Sequence, residues 1–398
     1  MEKAHKRIGV ILVGLVCVWC FCTNNAGAGL PSADLRQLTT GNSCCWNGDW
    51  SKDGKWIVYQ REKPGQTWRC DIYKIRVDGT EETQLTSGYL CDSKPQFSPD
   101  GKKIAFQRNM NPEGGTKVGE KASIWVMNAD GSNQTQIVAP GPEDKEGAQW
   151  PVWSPDGKFI AYMYGERRKK GLWIIKPDGT GAQQLISSDF GEGIERFTDW
   201  KLVDWKPKGP GKGKQIVVSV KNTTPRKDSR SYSRHNALIE FDPKGKTAPK
   251  LTWLTDPETA ACQWHPQWKP DGKQIVYTDD SNNKADIWLM NPDGTNKVRL
   301  TDSASHGNAC YSNPDWSPNG KYIVYQSTEG LSGTNKRRIY IMTADGTEQN
   351  CLMSDENIRE SNRGEFLMHF DRKGTKILFV GKDLVASKYQ LFVLDLHK

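Results

Sequence analysis

The side chains able to do chemistry in this sequence are few, and their spacing is uneven. There are ten cysteines and six histidines in 398 residues. Cys17, Cys20 and Cys22 sit in an apolar run near the N-terminus. The other seven are Cys44, Cys45, Cys70, Cys91, Cys262, Cys310 and Cys351. Four of these (Cys44, Cys91, Cys262 and Cys310) each stand six residues before an aromatic residue, namely Trp50, Phe97, Trp268 and Trp316. Such regularity suggests disulfide chemistry between equivalent points of a repeating structure. His265, His306 and His369 also precede strand-like runs, which makes them candidates to converge on a metal. The competing reading is ordinary loop or packing histidines. Asn128-Ala129-Asp130-Gly131-Ser132 resembles a fragment of a calcium loop but lacks the rest of that pattern, so it reads as a turn. No C-x-x-C-H, G-x-S-x-G, P-loop or dinucleotide fingerprint occurs. No nucleophile or acid/base constellation stands out, and the chain is read as carrying no catalytic, cofactor-binding or metal-binding residues of its own.

Positioning these residues is the work of a repeat. An aromatic residue, three residues and then glycine recur at Trp50/Gly54, Phe97/Gly101, Trp153/Gly157, Trp205/Gly209, Trp268/Gly272, Trp316/Gly320 and Phe370/Gly374. A short alternating apolar run follows each mark, such as Lys103-Ile104-Ala105-Phe106. A third run follows that, such as Ser123-Ile124-Trp125-Val126-Met127. The pattern is two strands on a tight turn, then a third strand. In six units a second glycine turn comes next, with Leu or Ile six residues on: Leu85, Ile137, Leu185, Leu251, Leu300 and Leu352. Four antiparallel strands, here called A to D, repeating at intervals of 47 to 63 residues predict an all-β, seven-bladed β-propeller. The last unit stops after strand C. Leu35-Arg36-Gln37-Leu38-Thr39 reads as an orphan strand D, so the N-terminal strand is expected to close the last blade.

The first 28 residues read as a signal peptide. Lys3, Lys6 and Arg7 precede an apolar run from Ile8 to Cys22, and Ala26 and Ala28 give an A-x-A site. The predicted domains are therefore 1–28, signal peptide, and 29–398, propeller. An uncleaved anchor and a lipoprotein signal are the alternatives; bulky Val16, Trp19 and Phe21 before the cysteines argue against the latter. Cleavage leaves a charge of (55 − 3) − (47 − 1) = +6, spread along the chain. That mild charge favours acidic partners only weakly and makes no case for nucleic acid; the expected partners are proteins, with no nucleic acid and no stable membrane anchor. Export permits disulfides. The equivalence of the four spaced cysteines predicts Cys91 paired with Cys44 or Cys45, and Cys262 with Cys310, with modest loop adjustment to the roughly 5.5–6 Å between Cα atoms that a disulfide requires. Unpaired buried thiols are the alternative.

Strand order places the A–B and C–D turns on one face and the B–C and D–A loops on the other. The loop face carries the unusual residues. Basic clusters fall in B–C loops: Arg167 and Arg168 with Lys169 and Lys170, Arg226, Arg230 and Arg234, then Arg337 and Arg338 with Lys336. Trp46, Trp150, Trp200, Trp264 and Phe366 fall in D–A connections. Arg and Trp are enriched at interface hot spots, and variable loops on a rigid frame suit recognition. The segment from Trp253 to His265 is the prime candidate to reach into a partner. The bland alternative is a solvated basic rim with aromatics plugging the channel.

The sequence from Phe97 to Phe106, together with Ile124-Trp125-Val126-Met127-Asn128-Ala129-Asp130-Gly131-Ser132, resembles the TolB-type propeller repeat, also called PD40 and WD40-like. The resemblance covers about residues 33–398. TolB proteins place an α/β domain before six blades, whereas here about twenty residues separate the leader from seven units. As a whole chain it is similar to the β-subunit family of the hydrazine synthases of anammox bacteria. The carriers are the leader, the bare propeller, seven units and the segment Asn42-Ser43-Cys44-Cys45-Trp46-Asn47-Gly48-Asp49-Trp50. That resemblance implies a haem-free scaffolding or loop-modulating subunit of an exported redox complex in nitrogen metabolism. Haem c would sit in partner α and γ subunits that condense nitric oxide and ammonium to hydrazine, in the anammoxosome lumen. A stand-alone TolB-like periplasmic protein-binding propeller is the alternative.

Overall fold

A computed structural model of the chain describes residues 30–109, 121–141, 146–166, 169–187, 204–222, 233–259, 261–281, 284–307, 309–329, 331, 337–353, 358–359, 368–383 and 387–397. All of their regular structure is β. Blade 1 orders Cys45–Trp50, Trp56–Lys63, Gln66–Arg76 and Thr83–Gln84 as an antiparallel sheet. Five more sheets repeat that order, through Tyr311–Trp316, Tyr322–Ser327, Arg338–Thr343 and Gln349–Cys351 in blade 6. In blade 7 the N-terminal strand Ser32–Gln37 lies against the last strand, Tyr389–His397, with Ser32 opposite His397 and Gln37 opposite Phe392. The fold is a seven-bladed propeller closed by its first strand, as the repeat requires. One detail is new. Strand A of blade 7 is split, with His369–Phe370 doing part of its work and Ile358–Arg359 pairing further along the same neighbour.

The apolar side chains gather between blades rather than within one core. Seven buried clusters fill the seven interfaces. At the closure, Cys45, Trp50 and Ile57 of blade 1 meet Leu378, Val380 and Leu391 of blade 7. Removing such aromatic and aliphatic chains from water stabilises the ring by about 1.5–3 kcal/mol each. The indoles add direction. Trp50 Nε1 donates to His369 O at 3.1 Å, Trp153 Nε1 to Gln96 O at 3.2 Å and Trp205 Nε1 to Val152 O at 3.3 Å, each crossing to the preceding blade.

The A–B turns show why the spacing is fixed. Ser98 Oγ donates to Asp100 Oδ1 and accepts from Lys103 N–H, while Asp100 accepts from Lys102 N–H. Gly101 follows at φ 77°, where a side chain would be strained. Ser51, Ser154 and Ser317 build the same turn. In the C–D turn of blade 2, Asp130 accepts from Ser132 N and Oγ, so the calcium-like wording forms a hairpin turn.

Candidate functional site: the channel mouth

Strand A is innermost, and in five blades it bulges before its aromatic residue. Pairing with strand B skips between Trp46 and Asp49, Ser93 and Gln96, Gln149 and Val152, Trp264 and Gln267, and Ser312 and Asp315. Inside these bulges sit Asn47, Lys94, Trp150, His265 and Asn313, with φ of 52°, 55°, 59°, 53° and 56°. A left-handed backbone costs a non-glycine residue about 1–2 kcal/mol, and it persists only where the surroundings hold it. Strand B supplies the hold. Gln60 Oε1 accepts from Asn47 Nδ2 at 2.8 Å and from the Lys94 N–H of the next blade at 2.9 Å. Gln107 Oε1 accepts from Trp150 N–H at 3.3 Å, and Asn313 Nδ2 donates to Gln326 Oε1 at 2.7 Å. The Lys94 ammonium lies 3.8 Å from the Trp150 ring centroid. The result is a rigid rim of amide, ammonium, indole and imidazole groups around the channel, on its loop side, with Asn47 and Lys94 buried and Trp150, His265 and Asn313 half-buried.

One step deeper, the residue before each aromatic forms a belt: Asp49, Gln96, Val152, Asp204, Gln267, Asp315 and His369. Three of these acceptors reach the next blade's backbone: Asp49 Oδ2 to Phe97 N at 2.7 Å, Gln96 Oε1 to Trp153 N at 2.8 Å and Asp204 Oδ2 to Trp268 N at 2.6 Å. His369 Nδ1 lies 3.6 Å from Asp315 Oδ2. Burial pushes the Asp204 carboxyl up to about 7, opposed by the Trp268 N–H and reinforced by the Asp315 charge. Burial also raises Asp49, against the Phe97 N–H and His369. The belt ties blades together and holds acid near neutrality.

The predicted docking residues divide sharply. Arg167, Arg168, Arg226, Arg230, Trp200 and Phe366 lie outside the described residues. Arg234 is not a loop residue but lies in Ser233–Glu240, half-buried. Arg338 lies in Arg338–Thr343 and donates to Glu329 O at 3.4 Å; Arg337 donates to Ser312 Oγ. Trp253 ends strand D of blade 4, opposite Ala237, packed edge-on against His235. Trp264 pairs with Thr278 inside strand A. Both ends of the supposed reaching segment are thus strand residues, because strand A starts earlier than its aromatic mark suggests and the bulge hides its alternation. Trp46 and Trp150 are likewise inside strand A.

The histidines do not converge. His265 is on the rim and His369 in the belt, while His306 Nδ1 bonds Asp302 O at 2.9 Å. Among the described residues no group of three or more His, Cys, Asp or Glu is placed to hold a metal. His235, unremarkable in sequence, is fully buried between blades 4 and 5. Gln263 Nε2 donates to Asp279 Oδ2 at 3.0 Å, which turns Gln263 Oε1 toward His235 Nδ1 at 3.2 Å. Nδ1 then carries the proton, and Nε2 accepts from Ser233 Oγ at 2.8 Å. The polarity is that of an activated serine, but Ser233 is only 2% exposed, so the chain of bonds acts as an interblade tie.

The cysteines also depart from expectation. Among the described residues no S–S bond joins Cys91 to Cys44 or Cys45, or Cys262 to Cys310. Cys44 lies by Tyr389 and Glu62, Cys45 accepts from Arg61 Nε at 3.5 Å, and Cys262 is bridged to Arg234. Cys310 N–H donates to Thr328 Oγ1. The start of strand A faces the start of strand C in the preceding blade, so equivalent strand A positions are not the ones in contact.

Residues 28–186 match the family model of the TolB beta propeller domain, PD40. The repeats of that stretch are of the TolB propeller type. The chain is 35% identical over 74 residues to the Tol-Pal system protein TolB of Albidiferax ferrireducens, covering 18% of this chain and 16% of that protein. It is 33% identical over 154 residues to an uncharacterized protein of Agrobacterium fabrum, covering 39% and 46%. These matches span less than half the length of either relative. Among solved structures, the oligogalacturonate lyase of Vibrio parahaemolyticus is similar with TM-score 0.62 and 11% identity, over 92% of this chain and 97% of that one. The propeller domain of the Trilobed protease from Pyrococcus furiosus has TM-score 0.59 and 15% identity, over 89% and 96%. At such identities the likeness is one of fold.

Proposed function

We propose that the TolB-type propeller is a protein-docking subunit of an exported multi-subunit redox complex of the hydrazine synthase kind, with the haem c groups carried by its α and γ partners and the anammoxosome lumen as its compartment. The observation that carries the docking role is the rim of five left-handed, non-glycine residues at the channel mouth, held from strand B and from the neighbouring blade. Five of the ten left-handed, non-glycine residues among those described recur at equivalent strand A positions on the loop side, the other five lying in turns and connections; a backbone fixed in this way at one ring suits a recognition surface that must not reshape itself on binding. The whole-chain resemblance, through the leader and the segment from Asn42 to Trp50, supports the redox complex over other docking partners. A modulating role follows from the same place, since a partner segment seated at the mouth has its position fixed by the propeller.

The second reading is a stand-alone TolB-like periplasmic propeller that binds envelope proteins. It is favoured by the match of residues 28–186 and by the short identity to TolB. Native affinity purification from the source cells separates the two. Co-purifying polypeptides that stain for covalent haem support the redox subunit. A haem-free envelope partner supports the TolB-like reading and defeats the first. Turnover by the isolated chain would defeat both.

A further inference from the structure

We infer that Cys70 and Cys91 are a disulfide pair that staples blade 1 to blade 2. The register of the ring places them together. The start of strand C in one blade makes a parallel bridge to the start of strand A in the next, seen at Ala122 with Gly147 and at Arg234 with Cys262. Gly147, Cys262 and Cys91 each stand six residues before their strand A aromatic. Ala122, Arg234 and Cys70 each stand seven before the residue whose N–H bonds the A–B turn carbonyl: Ala129 to Lys102 O, Phe241 to Lys214 O and Val77 to Lys55 O. Cys70 and Cys91 therefore occupy the two sides of one bridge position. Adjacent strands run about 4.8 Å apart, within the Cα separation of about 4.4–6.8 Å that a disulfide spans. The side chains agree, because each thiol lies close enough to the other for the two to influence each other's proton affinity. At the corresponding contacts Cys262 meets Arg234, and Cys44 meets Tyr389, so no other blade junction of the described chain offers two sulfurs.

The pair closes by thiol–disulfide exchange. One of the two sulfurs, as a thiolate, displaces one thiolate from a small-molecule disulfide of the glutathione class and forms a mixed disulfide. The other cysteine then loses its proton and attacks the protein-bound sulfur of that mixed disulfide, releasing the second small thiol. Two protein thiols become one disulfide, and one external disulfide becomes two thiols. Both sulfurs are buried, at 3% and 8% exposure, so exchange precedes the final closure of blade 1 on blade 2.

The inference rests on the exported location of the chain, and the test keeps the two apart. Full-length mature protein from the source cells is denatured in iodoacetamide without reductant and digested. A peptide pair joined through Cys70 and Cys91, with the other five cysteines alkylated, is the expected result. A link from Cys91 to Cys44 or Cys45 overturns it, and alkylation of both Cys70 and Cys91 is decided by a second arm. In parallel, purified reduced chain is refolded in a glutathione redox buffer. Closure of the pair there, with open thiols in cells, sinks the exported location and upholds the pairing; open thiols in both sink the pairing. The oxidised protein should melt roughly 3–6 °C above the same protein reduced. Cys70→Ala, Cys91→Ala and the double variant should share the lower value. Should a variant fail to fold, the oxidised-against-reduced comparison of the unaltered chain decides, and equal melting temperatures overturn the staple.

Discussion

The two ends of strand A are built on different principles. At the aromatic end every blade does the same thing: a Trp or Phe fills the interface and a glycine turn follows, opened by serine and aspartate in blades 1 to 3. At the mouth end, a few residues earlier, no two neighbouring blades agree. Asn, Lys, Trp, His and Asn occupy the bulges, and the cysteines cluster nearby. Uniformity marks the part that makes a propeller, and variation on a strained frame marks the part that makes this one. The belt between them is intermediate, joining blades by the same geometry with different acceptors.

Substitutions at the two ends should therefore separate stability from binding. The largest effect belongs to Trp153→Ala, which removes a buried indole and its bond to Gln96 O. Denaturant unfolding should show a loss of about 3–5 kcal/mol, and a loss under 1 kcal/mol would dissolve the distinction. Next is Asp204→Asn in the belt. The folded carboxyl titrates at about 7 and the unfolded one at about 3.9. Between these values the folded chain keeps a proton that the unfolded chain has lost, so the stability Asp204 contributes falls as pH rises through that window. The variant keeps an acceptor for Trp268 N–H and removes the titration. It should be more stable than the unaltered protein by about 1–2 kcal/mol at pH 8 and nearly equal at pH 4.5. Parallel pH profiles would show that Asp204 is charged throughout. Smaller again is Ser98→Ala, which opens one A–B turn and should cost about 1 kcal/mol in the same unfolding assay. Least of all is Lys94→Gly. Release of left-handed strain offsets the lost ammonium–indole contact, so stability should change by less than about 0.5 kcal/mol. A large loss there would make the rim structural.

The same division governs what the sequence reveals. The blades and their closure are legible because the aromatic-to-glycine spacing recurs in all seven units, even where the A–B turn of blade 4 is enlarged between Trp205 and Gln215. The rim is not legible, because no glycine marks the left-handed positions and the bulge breaks the period-two alternation that would announce a strand. Trp264 and Trp253 consequently look like loop residues although both are paired in sheets. Cys70 escapes notice for a different reason. Its partner is fixed by the offset between strand C of one blade and strand A of the next, a register that spacing within a repeat does not encode. The tie from Ser233 through His235 to Gln263 is hidden in the same way.

The central claim is that the mouth docks a partner while the aromatic end only holds the ring. Native mass spectrometry of tagged chain from its own cells tests it directly, comparing the unaltered protein with the Lys94→Gly, Asn313→Gly double variant. The account predicts that haem-bearing polypeptides accompany the unaltered chain and are lost from the variant, with the melting temperature of the isolated chain unchanged. A lone, colourless unaltered chain, or a variant that keeps every partner, would contradict it.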